Sequence, residues 1–421
     1  MSATLPLDAP PRAAAVVLTV LIPFGCGYYL SYLFRTMNAV ISPHLVREFS
    51  LDPADLGFLT SVYFITFAAM QIPLGVILDR YGPRRVQTAL LLVAALGAAM
   101  FAIGDSLLAI TIGRGLIGVG VASCLMSSFK ANALWWPRER LALMNNLIMA
   151  FGGVGALSAT APVHALLTVT DWRTLFVGLA IVTAALAVVT FMVVPERRST
   201  TVSSASIIEQ FAALPAIFRN RVFWRYAGPF SIFYSIYMSY QTLWAAPWLR
   251  DVGGFNQAEV ADYMFLIQLG MFFGVLGSGV MADRLRRRGV GPERIFPFAV
   301  AIAMLLQVFL VVVPSASPGF FWTAYSLIAS SIILSFTILT ERFPPELTGR
   351  VITSANLIAF IFAFAVQWGI GAIIGTFAGK PDGGYLPVAH STALIVMLAL
   401  EACAFVAYFL FRDPVKFVVE E

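Results

Sequence analysis

Charge is what this 421-residue chain has least of: only 12% of its residues are Asp, Glu, Lys or Arg, whereas 59% are apolar and the mean hydropathy is +0.85. A soluble domain carries about 25% charged residues, so a soluble fold could not cover this much apolar surface. Cysteine and histidine are also scarce, at three each. Cys26, Cys124 and Cys403 fall inside apolar runs with no short-range pairing pattern, which excludes a disulfide framework or a zinc site and leaves them as small packing residues. His44, His164 and His390 are scattered near expected external helix ends, without the spacing of a metal site or a nucleophilic relay. There is no Walker loop, so ATP hydrolysis, enzymatic catalysis and a bound cofactor are not implied. No Asn-x-Ser/Thr acceptor occurs either, in keeping with a bacterial cytoplasmic (inner) membrane.

What the chain does have is apolar runs of ~18 to 25 residues, each long enough to cross a bilayer. Expected spans are 14–40, 54–76, 86–104, 107–133, 142–168 and 174–194, then 222–248, 258–282, 293–313, 318–340, 350–377 and 391–411. The fold class is therefore an all-α membrane protein of twelve transmembrane helices. Its formal charge of +5 does not signal nucleic acid, because the arginines cluster in alternate loops, as at Arg284, Arg286, Arg287 and Arg288. Only Arg47, Arg173, Arg250 and Lys380 are expected outside, which places both termini in the cytoplasm. The first apolar run follows a single arginine and is too long for a signal-peptide core, so it reads as a span. The organisation is a six-helix half at 1–194, a cytoplasmic linker at 195–221 and a second six-helix half at 222–421. Within the linker Ile207, Ile208, Phe211, Leu214 and Ile217 recur at helical spacing, as in an interfacial helix or, equally, a polar connector with incidental apolar residues.

Two loops carry an internal repeat: GVILDRYGPRR follows span two and GSGVMADRLRRRG follows span eight. Asp79-Arg80 and Asp283-Arg284 recur 204 residues apart, as two parallel pseudo-repeats about an axis along the membrane normal would place them. The first loop, with Gly75, Asp79, Arg80, Gly82, Arg84 and Arg85, resembles the signature of the major facilitator superfamily. Arg114, Gly118 and Gly120, WWPRER at 135–140 and DWRTLF at 171–176 extend the resemblance. It implies the major facilitator fold, two six-helix halves with a substrate between them, and alternating access. Asp79, Arg80, Asp283 and Arg284 are then candidate gating residues, whose charge-assisted contacts form in one conformation and break in the other. Arg114 belongs to a superfamily motif independent of substrate, which implies a role in packing and coupling.

Ionisable residues inside a span are costly to bury, so they are the most informative letters. Arg35 shares a helical face with Ser31 and Tyr28, and the hydroxyls make this an anion-binding face in preference to an arginine snorkelling outward. The stretch from Tyr28 through Arg35 and Pro43 to DLGF at 55–58 resembles the first helix of organophosphate and organic anion transporters. In that branch the arginine matched by Arg35 binds the substrate phosphate. A second arginine of that branch, on helix seven, is matched here by Met238, which argues for a carboxylate or sulfonate over a phosphate monoester. Lys130, with Ser127 and Ser123 behind it, is a second anion contact or a lysine reaching cytoplasmic headgroups. Tyr237, Gln241 and Trp244 on helix seven and Asn356 and Gln367 on helix eleven offer a neutral wall for the uncharged part of a substrate. Glu401 interrupts the last span as a neutral, locally bonded acid or, alternatively, a proton carrier. The combined expectation is a monomeric secondary transporter importing a small organic anion with protons. Its rivals are an exchanger or exporter and a transporter-like ligand sensor.

Overall fold

A computed structural model of the protein describes residues 13–197, 215, 217–314, 317–343, 345–380 and 384–410. Among these the structure is helical apart from loops and one isolated bridge between Gly379 and Tyr385. Of the interfacial stretch expected in the linker, Ile207, Ile208, Phe211 and Leu214 lie outside the described residues; Ile217 is described and is buried.

Among the described residues ten helices are long and apolar enough to cross a membrane. The first, α1, is Ala13–Thr36. Pro53–Ile103 is a 51-residue run that breaks at Gly82 into α2 (53–81) and α3 (83–103). A straight helix of that length would extend roughly 75 Å, more than twice the hydrocarbon core, so it must hold two spans. The break follows from the letters: Gly82 adopts φ 78°, a region closed to most side chains, and Pro83 with its fixed φ starts the next helix. There follow α4 (Leu107–Trp135), α5 (Arg138–Ser158) and α6 (Trp172–Val193). The run 221–251, α7, is helical throughout, with a π-helical turn at Tyr240–Trp244. The second half continues with α8 (Gln257–Arg286), α9 (Pro292–Val312), α10 (Pro318–Arg342), α11 (Leu347–Gly375) and α12 (Pro387–Leu410). The divided long helix and the α7 run reconcile the ten with the expected twelve.

The first span ends earlier than the expected residue 40. The helix closes at Thr36, and a separate helix runs Asn38–Phe49 where a loop was expected. Asn38 donates its side-chain amide to the Arg35 carbonyl at 3.5 Å, and Ser42 donates to the Ala39 carbonyl, whose ordinary partner amide is missing at Pro43. The DWRTLF motif then has a visible task. Asp171 caps α6 by accepting from the Thr174 amide and hydroxyl, bonds that lower its carboxyl pKa; Trp172 and Arg173 donate to Glu48 at 2.7–2.9 Å. The entry to α6 is thereby tied to the Asn38–Phe49 helix.

Glycine decides how closely helices approach in the first half. A Cβ on Gly118 would lie 2.5 Å from the Tyr63 carbonyl oxygen, and one on Gly120 2.3 Å from the Ala94 amide nitrogen. Small residues at such crossings let backbones touch without a side chain between them, which fits the packing role the sequence assigned to this stretch of α4.

Candidate functional site

Arg35 is 5% exposed, yet among the described residues it has no carboxylate partner. Its surroundings are aromatic. The guanidinium carbon lies 4.7 Å from the ring centre of Tyr32, 5.8 Å from Tyr63, 5.2 Å from Phe67 and 5.3 Å from Phe360. Its Nε donates a long bond, 3.5 Å, to the Tyr63 hydroxyl, which itself donates to the Ser31 carbonyl at 3.3 Å. Cation–π contacts stabilise a desolvated cation by about 2 kcal/mol each at best, well short of what a buried guanidinium loses in leaving water. An oxyanion supplies what the rings cannot, because the planar fork offers parallel N–H donors.

Tyr28 and Ser31 share this face of α1. Tyr28 stands edge-on to Tyr32 with centroids 5.1 Å apart and packs against Gly152 of α5, where a Cβ would meet its ring at 2.5 Å. Arg114 is deeper still, 1% exposed, and stacks on Tyr63 at 4.8 Å; none of its three nitrogens has a hydrogen-bond partner. One tyrosine ring thus lies against two arginines, Arg35 from α1 and Arg114 from α4.

Lys130 is placed elsewhere. It forms an ion pair with Asp79 at the arginine-rich end of the bundle, where both line a crevice of about 370 Å³ together with Gln71, Arg350 and Ser354. That crevice lies between the halves. Arg80 stacks over Tyr81, Arg84 donates to the Phe191 carbonyl at 2.9 Å and Arg85 pairs with Glu196 at 2.8 Å, so the first loop is held by its own half and the start of the linker. In the second half Asp283 and Arg284 are exposed, and ion pairs at the same end join Arg286 of α8 to Glu341 of α10 at 2.8 Å and Arg342 of α10 to Glu293 of α9 at 3.1 Å. The loops recur in sequence, but their ion pairs differ: an acid of α2 meets a base of α4, whereas a base of α8 meets an acid of α10.

The neutral residues of the second half are largely engaged with one another. Gln241 donates to Gln268 at 2.8 Å, and the Tyr237 hydroxyl meets Ser326 at 3.0 Å. Gln367 does something the sequence did not suggest: it donates to Thr60 of the opposite half at 2.8 Å, accepts from Thr242 at 3.1 Å, and its carbonyl accepts from Trp244 at 3.0 Å. Beside it the backbones of α2 and α11 touch, since a Cβ on Gly371 would sit 2.2 Å from the Pro53 carbonyl oxygen and one on Gly57 2.9 Å from that of Gln367. Gln367 is therefore part of a seal between the halves, and the π-helical turn of α7 is what presents Thr242 and Trp244 to it. Asn356 is half-buried on α11. Glu401, 2% exposed, accepts from Gln307 of α9 at 2.6 Å, inside the second half and remote from Arg35 in the contact pattern.

At the end of the bundle beyond this seal, a cavity of about 620 Å³ is lined by Arg47, Arg250, Asp251 and Lys380 among others. His390 and the Tyr385 amide both meet Asp251, at 3.0 and 3.1 Å, tying the turn before α12 to the end of α7. Neither this cavity nor the crevice includes Arg35 or its ring neighbours. Sequence reasoning missed Tyr32, Tyr63, Phe67 and Phe360 as site residues. Their only signal was aromatic letters at helical spacing, which any packed core shares.

The sequence profile of the Major Facilitator Superfamily matches residues 24–367. The chain is 25% identical over 399 residues to the probable sulfoacetate transporter of Cupriavidus necator, covering 89% of this chain and 90% of that protein. It is 22% identical to the probable L-galactonate transporter of Escherichia coli strain K12, covering 96% and 91% respectively. Among solved structures it resembles a bacterial homologue of the human lysosomal transporter Spinster in an inward-facing, unoccupied conformation, with a TM-score of 0.77 at 17% identity, covering 95% of this chain and 97% of that one.

Proposed function

The chain belongs to the Major Facilitator Superfamily and is a multi-pass membrane transporter, and from that premise we propose that it carries a small organic anion bearing a carboxylate or sulfonate, bound at Arg35. The observation that carries the proposal is a buried arginine, at the contact between the halves, with no acid beside it. Leaving such a charge unpaired is costly, and Arg35, unlike the deeper Arg114, lies against a ring of the opposite half, where a ligand held between the halves would meet it. The names of the relatives point the same way: sulfoacetate carries both acid groups and galactonate is a carboxylate. The aromatic walls suit the uncharged part of such a molecule, while Met238, buried at the position where the anion-transporter branch would offer a second arginine, gives no second charge. The remaining pieces follow as proposals: import driven by protons, alternating access between the halves 1–194 and 222–421, both termini cytoplasmic, and an inner-membrane location.

The test begins with the purified protein in detergent. Its thermal unfolding is followed against carboxylates, sulfonates, phosphate esters and inorganic anions, because a ligand that binds the folded state raises the midpoint with concentration. Sulfonates and carboxylates are expected to stabilise, and Arg35→Gln is expected to remove the effect. Stabilisation by none of the anions, or equal stabilisation of Arg35→Gln, would overturn the assignment. Accumulation in sealed proteoliposomes with an imposed pH gradient then separates a proton-coupled importer from an exchanger, and from a sensor that binds without accumulating.

A further inference from the structure

We infer that Phe67 and Phe360 are a gate between the Arg35 site and the crevice on the arginine-rich face, with the guanidinium as its latch. The inference rests on Arg35 being the anion site. Phe67 belongs to α2 of the first half and Phe360 to α11 of the second; their rings stack with centroids 4.5 Å apart and planes 25° from parallel. Both rings are buried, and the Arg35 guanidinium touches both.

Their place along the two helices is what gives the pair a function. On α2 Tyr63, against Arg35, is followed one turn later by Phe67, and one turn after that by Gln71, where the 370 Å³ crevice begins. On α11, which runs in the opposite direction, Phe360 is reached from the same crevice through Arg350, Ser354 and Leu357. The rings therefore stand one turn above the inner end of an open crevice on both helices, and the arginine stands directly behind them. Phe64 of α2 and Tyr234 of α7 also lie against Phe360, at 5.9 and 6.4 Å.

The chemistry couples the gate to its cargo. With no anion present the guanidinium lies between rings of the two halves and holds them through its charge. An oxyanion that takes the fork in a bidentate grip competes for that charge, so occupancy of the site weakens the contact that keeps it shut. Phe67 and Phe360 would thus act on passage rather than by binding the charge.

The experiment reads access to a cysteine at position 31, on the Arg35 side of the rings, where the carbonyl already bonds the Tyr63 hydroxyl. Ser31→Cys is made in full-length protein whose Cys26, Cys124 and Cys403 are replaced by alanine. Two membrane-impermeant thiol reagents, 2-sulfonatoethyl methanethiosulfonate and its trimethylammonioethyl counterpart, are applied to the arginine-rich face in inside-out vesicles. Phe67→Ala or Phe360→Ala is expected to speed modification by both reagents roughly tenfold or more, and Phe360→Trp to leave it slow. If either alanine variant does not purify as a single species, Phe67→Val and Phe360→Val serve with the same expectation. Unchanged rates in folded alanine or valine variants would overturn the gate, and so would equal acceleration from the opposite face, which would mean general loosening. The ratio of the two reagents tests the underlying reading separately. Through an opened gate the ratio of anionic to cationic reagent rates should fall when Arg35→Gln is added; an unchanged ratio would count against the anion site and leave the gate standing.

Discussion

Among the described residues, the first half buries two arginines without an acid, and the second buries amides, hydroxyls and two carboxylic acids, Asp251 and Glu401. Among the described residues the guanidinium groups of Arg35 and Arg114 meet aromatic rings and, for Arg35, the Tyr63 hydroxyl. Gln241, Gln367, Tyr237 and Glu401, by contrast, each have a hydrogen-bond partner. The two halves are repeats in topology, so the difference is chemical. On the proposed reading charge is recognised by the first half, while the second contributes neutral contacts, of which Gln367 reaches across to Thr60.

The largest effect that would break this comparison is at Arg35. Arg35→Gln should abolish stabilisation by sulfonates and carboxylates, while Arg35→Lys keeps the charge but loses the planar fork. A charge-assisted hydrogen bond contributes about 1.5–3 kcal/mol, so the lysine variant should bind roughly ten- to a hundredfold more weakly. Titration by thermal shift on folded protein decides it, and free substitution by lysine would return Arg35 to the role of a snorkelling side chain.

Next in size is the seal contributed by the second half. Gly371→Leu puts a side chain where the Pro53 carbonyl lies 2.2 Å from the Cβ position, so α2 and α11 must part at that end. Gln367→Leu is milder: it leaves the Thr60 and Thr242 hydroxyls without this partner, a loss of about 1–3 kcal/mol. Both should increase modification of a cysteine at position 60 by a thiol reagent applied from the external side, Gly371→Leu more than Gln367→Leu. If neither changes accessibility, the closed contact between the halves lies elsewhere.

Glu401→Gln sharpens the other side of the comparison. If this acid is structural, an amide can still meet Gln307, and proton-driven accumulation in proteoliposomes should stay within about twofold of wild type, with a stability change of about 1 kcal/mol. Abolished accumulation with intact exchange would make Glu401 the proton site instead. The smallest effect is expected at Lys130→Gln. Its pair with Asp79 is partly exposed, and such pairs contribute about 0.2–1 kcal/mol, so anion affinity at Arg35 should be unchanged and only the transport rate should move. A tenfold loss of affinity would place Lys130 in the binding site after all.

Much of the fold was legible because each of its causes is local. Apolar runs of membrane-spanning length, arginines in alternate loops, the Gly82-Pro83 break and the Asp171 cap each follow from a few adjacent letters. Arg35 was legible for the same reason, since a charge within an apolar run stands out from its neighbours. Lys130 stood out equally, but sequence left it between an anion contact and a lysine reaching headgroups; its pair with Asp79 was neither, because it depends on a residue 51 positions away. Gln367 was read as a wall for substrate and serves in a seal, since its partners Thr60 and Thr242 lie on α2 and α7.

By itself, then, the sequence determined that this chain lives in a bilayer as two related helical halves, and that its first helix carries an arginine with a reason to be there. Hydrophobic burial and the cost of unpaired charge in lipid act residue by residue, and can be read from composition and spacing. Only the tertiary structure decided that Tyr32, Tyr63, Phe67 and Phe360 are the four rings around that arginine, and that two of them come from opposite halves. A phenylalanine on an apolar helix reads the same whether it packs a core or closes a path. What distinguishes the two is which helix lies across from it, and helices far apart in the chain are brought together by packing that no local pattern encodes.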